Sequence, residues 1–177
     1  MKRVNRILGV GPALLIAGCG ASTAVQPSPV VTPAVVAAPV MLSAAAYVAA
    51  ASSIDLFEMQ SAELALQRAR DPANRAFAER VLSAHQGTSA QLSFAGRRLN
   101  LLPSATLDAQ HQSMLNALSA TSDFDSLYRA QQRTVVEQGV RLHASYARSG
   151  DSPTLRPIAE NAENVMRANL QALRGSR

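Results

Sequence analysis

Four side chains in this sequence could do chemistry by their type and place: Cys19, Glu58, His85 and His143. Glu58 stands between Phe57 and Met59, one residue from an apolar face, and His85 comes four residues after Val81 and three before Thr88. On two packed helices those positions would let a carboxylate meet an imidazole. Such pairs supply iron, manganese or zinc sites in helical bundles, where inward-facing Glu residues combine with Glu-x-x-His pairs. No Glu-x-x-His occurs here. The other reading makes His85 a core-edge histidine hydrogen-bonded to Glu58 or to a backbone carbonyl, because buried polar groups need partners. His143 follows Leu142 beside the core face of its helix, whereas His111, between Gln110 and Gln112, reads as solvated. Gln131, Gln132 and Gln138 read as a polar side of the fourth helix, from which one could point inward.

Other chemistries lack their residues. There is no G-x-S-x-G elbow and no phosphate-cradling glycine loop. A single cysteine removes internal disulfides and every multi-cysteine metal site. The formal charge of +5 also misleads until it is divided by region. Lys2, Arg3 and Arg6 open the chain, and no carboxylate precedes Asp55, so residues 43–177 hold fourteen arginines against all twelve carboxylates. These alternate along the sequence and give no clustered stripe to displace counterions from phosphates, so no nucleic-acid partner is expected.

Cys19 belongs to the elements that must position it. The three basic residues, the apolar stretch Ile7 to Ala17 and the closing Ile16-Ala17-Gly18-Cys19 give residues 1–18 the form of an export signal. Eleven helical residues span about 16 Å, against a hydrocarbon core of roughly 30 Å, so a permanent membrane helix is not expected. The last four residues resemble a bacterial lipobox. That resemblance implies diacylglycerol on the Cys19 sulfur, cleavage just before it, and acylation of the new amino group. Several acyl chains would hold the protein at a membrane surface. Gly20, where an aspartate would resemble an inner-membrane retention signal, points to the periplasmic face of the outer membrane.

Residues 19–42 combine the lipidated cysteine with an uncharged linker of Ala, Val, Pro, Ser and Thr. Pro27, Pro29, Pro33 and Pro39 forbid a helix and make it a disordered tether. Its reach is about 70 Å when extended, enough to hold the body clear of the lipid.

Residues 43–177 are expected to form an all-α bundle. The pattern predicts helices over 43–69, 72–100, 106–120, 122–149 and 152–173. Asp71-Pro72 and Ser152-Pro153 place a capping residue before a proline, and Ser122 with Asp125 gives a capping-box-like start. Residues recur on a three-or-four spacing, as in Phe77, Val81, Ala84, Thr88, Leu92, Ala95 and Leu99, and in Phe124, Leu127, Tyr128, Val135, Leu142 and Tyr146. The expected architecture is an up-down four-helix bundle with one additional short helix. It is rich in alanine, so its stability must come from close helix approach rather than large buried side chains.

The order of these features resembles the ferritin-like domain of unknown function 4142. The residues that carry the resemblance are Glu58 before Ala62-Glu63-Leu64-Ala65, Asp71-Pro72, and Phe77-Ala78-x-Arg80 leading to His85. In the second half they are Phe124-Asp125-x-x-Tyr128, Gln132 and Gly150-Asp151, so the likeness covers residues 44–173. It implies a ferritin-like bundle in an exported protein, with no activity firmly assigned. It also implies that Glu58 and His85 match a family Glu and His on the first two helices. A further family histidine about twelve residues after the Phe falls on Val136 here, and another in the last helix falls on Asn169. This chain would therefore keep at most half of such a ligand set. Asp125 and Tyr128 carry over as structural residues.

The sequence thus leads to the expectation of a lipid-anchored envelope bundle without catalysis or a cofactor, acting in interaction or stress-related upkeep, with another envelope protein as a candidate partner. One alternative is a ferritin-like metal-binding or redox protein using Glu58, His85 and His143 or Asn169. Another is a binder of a small apolar molecule in the bundle core.

Overall fold

The computed structural model describes residues 41–175; the expected export signal, Cys19 and the expected linker up to residue 40 lie outside it. Five α-helices account for all regular structure among the described residues: α1 (Ala44–Arg68), α2 (Pro72–Arg98), α3 (Ala109–Ala120), α4 (Phe124–Ser149) and α5 (Arg156–Gly175). None of them is long and apolar enough to cross a membrane.

Local chemistry sets most of the helix starts. Ser43 caps α1 by accepting from the Ala46 N–H at 3.2 Å, and Asp71 caps α2 by accepting from Ala73 at 2.8 Å with Pro72 in the first helical position. The third helix begins at 109 rather than 106. Asp108 supplies its cap by accepting from the His111 N–H at 2.8 Å, while Ser104 and Thr106 form a separate hydroxyl-bonded turn. The capping box at Ser122 does not form. Asp123 occupies the cap position of α4 without a side-chain bond, and the Asp125 carboxylate turns instead to the α1–α2 corner. Residues 153–155 make a turn on the Ser152 carbonyl, which accepts from Leu155 and Arg156 at 3.1 Å, so α5 starts at 156.

At the end of α2 the chain reverses through Asn100, at φ 56, and the Gly96 carbonyl accepts from both Leu99 and Leu101. A Cβ at Gly96 would collide with the Leu101 carbonyl oxygen, which is why this turn needs glycine there.

Cross-helix contacts fix the topology. Asp55 meets His85, Tyr47 meets His143 while Ser61 meets Gln132, Gln91 meets Asn161 while Arg80 meets Asn169, and Gly139 packs on Met166. Both α1/α2 and α4/α5 are therefore antiparallel hairpins. Because α1 and α4 are also antiparallel, α2 and α4 run the same way, and the long connection between them must cross the length of the bundle. The short helix lies in that crossover. It climbs alongside α1, from Ser104 against Ser52 to Thr121 against Arg68. One long crossover is the ferritin-like variant of the four-helix bundle.

Two apolar clusters fill the interior. The larger contains Ile54, Phe57, Phe77, Val81, Leu118, Phe124, Tyr128, Val135, Val136 and Met166, and the smaller contains Tyr47, Val48, Leu92, Tyr146 and Leu155. Between and alongside them runs a seam of fully buried polar groups.

Candidate functional site

The seam begins on α1, where Asp55 and Glu58 stand three residues apart and thus face the same way into the bundle. His85 and Thr88 answer from α2 with the same spacing. One Asp55 oxygen accepts from His85 Nδ1 at 2.7 Å and from the Thr88 hydroxyl at 2.8 Å. On its far side, His85 Nε2 lies 3.4 Å from the Asn169 amide nitrogen, and Arg80 Nε donates to Asn169 Oδ1 at 3.3 Å. The guanidinium fixes which way the amide faces, because only its oxygen can accept from Arg80. Asn169 therefore presents its N–H to His85, and His85 holds its own proton on Nδ1. Burial disfavours a charge on this ring, but the Asp55 hydrogen bond and the nearby Glu58 and Asp55 charges outweigh that and raise its pKa.

The sequence reading paired His85 with Glu58 or a backbone carbonyl; the partner is Asp55. Glu58 is fully buried, yet neither carboxylate oxygen has a hydrogen-bond partner. Burial pushes its pKa up to about 7, helped by Asp55 and opposed by the His85 charge and by the Gln132 side chain beside it. Burial is the largest of these effects and sets the direction, while the Gln132 amide nitrogen also donates to Ser61 Oγ at 2.9 Å. Gln132 Oε1 and the Tyr128 hydroxyl are likewise buried without partners. Burial and the Glu58 charge raise the pKa of Tyr128. A protonated Glu58 would remove the cost of burying its charge.

His143 is buried, as its place beside the core face suggested, and its Nδ1 lies 3.0 Å from the Tyr47 hydroxyl. Burial lowers its pKa to about 4 and raises that of Tyr47, so the tyrosine donates to a neutral imidazole. Tyr47 in turn stacks on Tyr146 at 4.0 Å between ring centres.

Two expectations are corrected by burial. His111 is 1% exposed rather than solvated. Its Nδ1 sits 2.8 Å from both Ser53 Oγ and Asp108 Oδ2, and its ring tilts against Phe57. Serine, histidine and aspartate meet here, but a proton relay needs the acid and the nucleophile on opposite ring nitrogens. The cluster instead ties the start of α3 to α1. Gln131 and Gln132 both point inward, so the fourth helix has no simple glutamine face. Val136 is fully buried within the larger apolar cluster.

Asp55 and Asn169 complete the network that sequence reasoning centred on Glu58. Asp55 carried one usable signal: it precedes Glu58 by three residues on the same helix. Asp125 proves structural. It accepts from the Arg70 and Asp71 N–H groups and, at 2.7 Å, from the Asn74 amide, and these bonds lower its pKa against the cost of burial.

These residues do not fit a carboxylate–histidine metal centre. Among the described residues no group of three or more His, Cys, Asp or Glu side chains is placed to hold a metal ion. Each His85 nitrogen already faces a partner, and a valine and an asparagine occupy the two positions where the family resemblance implies further histidines.

A family model described as a domain of unknown function (DUF4142) matches residues 30–175. No curated protein matches the chain. A solved structure described as "CopM in the Cu(II)-bound form" is similar with a TM-score of 0.64 and 15% identity, over 76% of this chain and 95% of that one. At that identity the likeness shows the fold alone.

Proposed function

Taking as premise that this chain belongs to the DUF4142 family, we propose that it is a lipid-anchored envelope protein whose ferritin-like bundle is a non-catalytic body. The observation that carries the second half is that all three histidines are engaged by side chains of the bundle. His85 is held by Asp55 and Asn169, His143 by Tyr47, and His111 by Ser53 and Asp108, so the histidines serve to join helices. The anchor rests on the lipobox-like residues 16–19 and the acyl chemistry of Cys19. In this reading acylated Cys19 holds the protein to lipid at the periplasmic face of the outer membrane, and the bundle meets another envelope protein. Cys19→Ser should release the protein from membranes and abolish labelled-palmitate incorporation; unchanged labelling would refute the anchor.

A second reading draws on Glu58, a buried carboxylate without a partner, and on the copper in the printed title of the fold neighbour. It makes the bundle a ferritin-like metal-binding or redox protein with a reduced ligand set, holding iron, manganese, zinc or copper. Elemental analysis of protein purified without chelator separates the two. Stoichiometric metal that disappears in both Glu58→Gln and His85→Ala would overturn the non-catalytic reading.

A further inference from the structure

Among the described residues three large hydrophobic side chains are exposed: Met41 at 55%, Phe94 at 65% and Leu102 at 75%. They belong to different segments but to one end of the bundle. Met41 stands two residues before the Ser43 cap of α1, Phe94 lies in the last turns of the antiparallel α2, and Leu102 follows in the turn closed by Gly96. Four helical residues separate Phe94 from the end of α2, about 6 Å along the axis, so all three project at nearly the same level. This is also the end at which the chain from Cys19 enters the fold.

Arginines outnumber carboxylates at this end, where Asp151 and Glu160 are the exposed acids. No carboxylate occurs between Arg80 and Leu107, and α1 has none before Asp55. Arg97 and Arg98 are exposed in the last turn of α2, and Arg148 and Arg156 are exposed where α4 ends and α5 begins. The nearby acid, Asp151, accepts a hydrogen bond from the Tyr146 hydroxyl at 2.8 Å. Separated apolar projections, with Arg97 and Arg98 three and four residues beyond Phe94 on α2, match a lipid interface, where rings and aliphatic tips enter the headgroup boundary and guanidinium groups meet phosphates. A second copy fits poorly, because a face-to-face pair about a twofold axis would oppose like charges across the same patch.

We propose that this end of the bundle is a membrane-docking face, with Phe94, Leu102 and Met41 entering an anionic lipid surface and Arg97 and Arg98 pairing with its phosphates. The proposal rests on the lipid-anchor reading for its geometry. An anchor tied through the linker to this end would keep the face at a high effective concentration near the bilayer.

The chain contains no tryptophan, so Phe94→Trp creates a single reporter in the acylated protein. Reconstituted in phosphatidylethanolamine–phosphatidylglycerol vesicles, Trp fluorescence from this variant should fall at least twofold when lipids brominated on the acyl chain are included. The same reporter introduced as Ala120→Trp, at the opposite end, should not respond. Combining Phe94→Trp with Arg97→Glu and Arg98→Glu should remove most of the quenching. Emission quenched by aqueous iodide but not by bromolipid, or equal responses from both reporters, would overturn the docking face while leaving the anchor intact. If mass spectrometry finds Cys19 unmodified, the anchor reading fails separately. Quenching of the unacylated Phe94→Trp chain mixed with the same vesicles would then still support the face, and its absence would end it.

Discussion

Glu58→Gln isolates the energetics of the polar seam. The wild-type carboxyl loses its proton near its ordinary 4.5 in the unfolded chain but near 7 in the fold, so between those values the folded state binds more protons than the unfolded one. Stability therefore falls as pH rises through this window, and the destabilisation is complete above the folded pKa. One pH unit of difference corresponds to 1.36 kcal/mol, so the raised carboxyl costs about 3 kcal/mol at full ionisation. Solvent screening is no discount, because the group is fully buried. Glutamine keeps the shape and cannot ionise. Urea unfolding followed by circular dichroism, at about pH 5 and about pH 8 with unchanged m-values, reads the difference directly. The variant should match wild type within about 1 kcal/mol at the acid end and exceed it by about 2–3 kcal/mol at the alkaline end. A gap that stays constant with pH would show that Glu58 titrates like an exposed carboxyl, and the argument from its unpartnered oxygens would fail. His85 slopes the same way, since its raised pKa makes its own contribution fade as pH rises through that value. The comparison must therefore be made between variants at each pH rather than along one curve.

Three further outcomes follow from the packing. Asp125→Ala removes the acceptor for two backbone N–H groups and the Asn74 amide at the α1–α2 corner, and should cost about 2 kcal/mol by urea unfolding; a neutral result would show that water replaces those bonds. In NMR titrations His143 should remain neutral down to about pH 5, because burial lowers its pKa to about 4, and ordinary titration would contradict the Tyr47 bond. Gly96→Ala should lower stability by about 1–3 kcal/mol through its collision with the Leu101 carbonyl, whereas Gly87→Ala, where a Cβ meets nothing within 4 Å, should be neutral or stabilising. Equal effects at the two glycines would mean that helix propensity alone governs both.

Most of the fold was legible in the sequence because its signals are local. Asp71-Pro72 sets the start of α2, and the three-and-four spacing of Phe124, Leu127, Val135 and Leu142 sets the face of α4. Local signals misled where a side chain had a distant rival partner. Asp125 could have served the helix it begins, but it satisfies the corner between α1 and α2, and Asp123 is left in the cap position without a bond. The candidate site was half legible for the same reason. Glu58 and His85 were visible as a carboxylate and an imidazole near apolar faces, but nothing in their spacing ranks Asp55 above Glu58 as the imidazole's partner.

What the sequence determined by itself is the set of helices and the charge balance of each segment, because capping and hydrophobic period act over a few residues. Only tertiary structure decided that α3 lies in a crossover, that His111 is buried, and that Asn169 faces His85 under the hand of Arg80. Those outcomes join residues 58, 84 and 89 positions apart along the chain. Such pairings depend on which helix faces meet, and that is settled by packing the whole bundle at once.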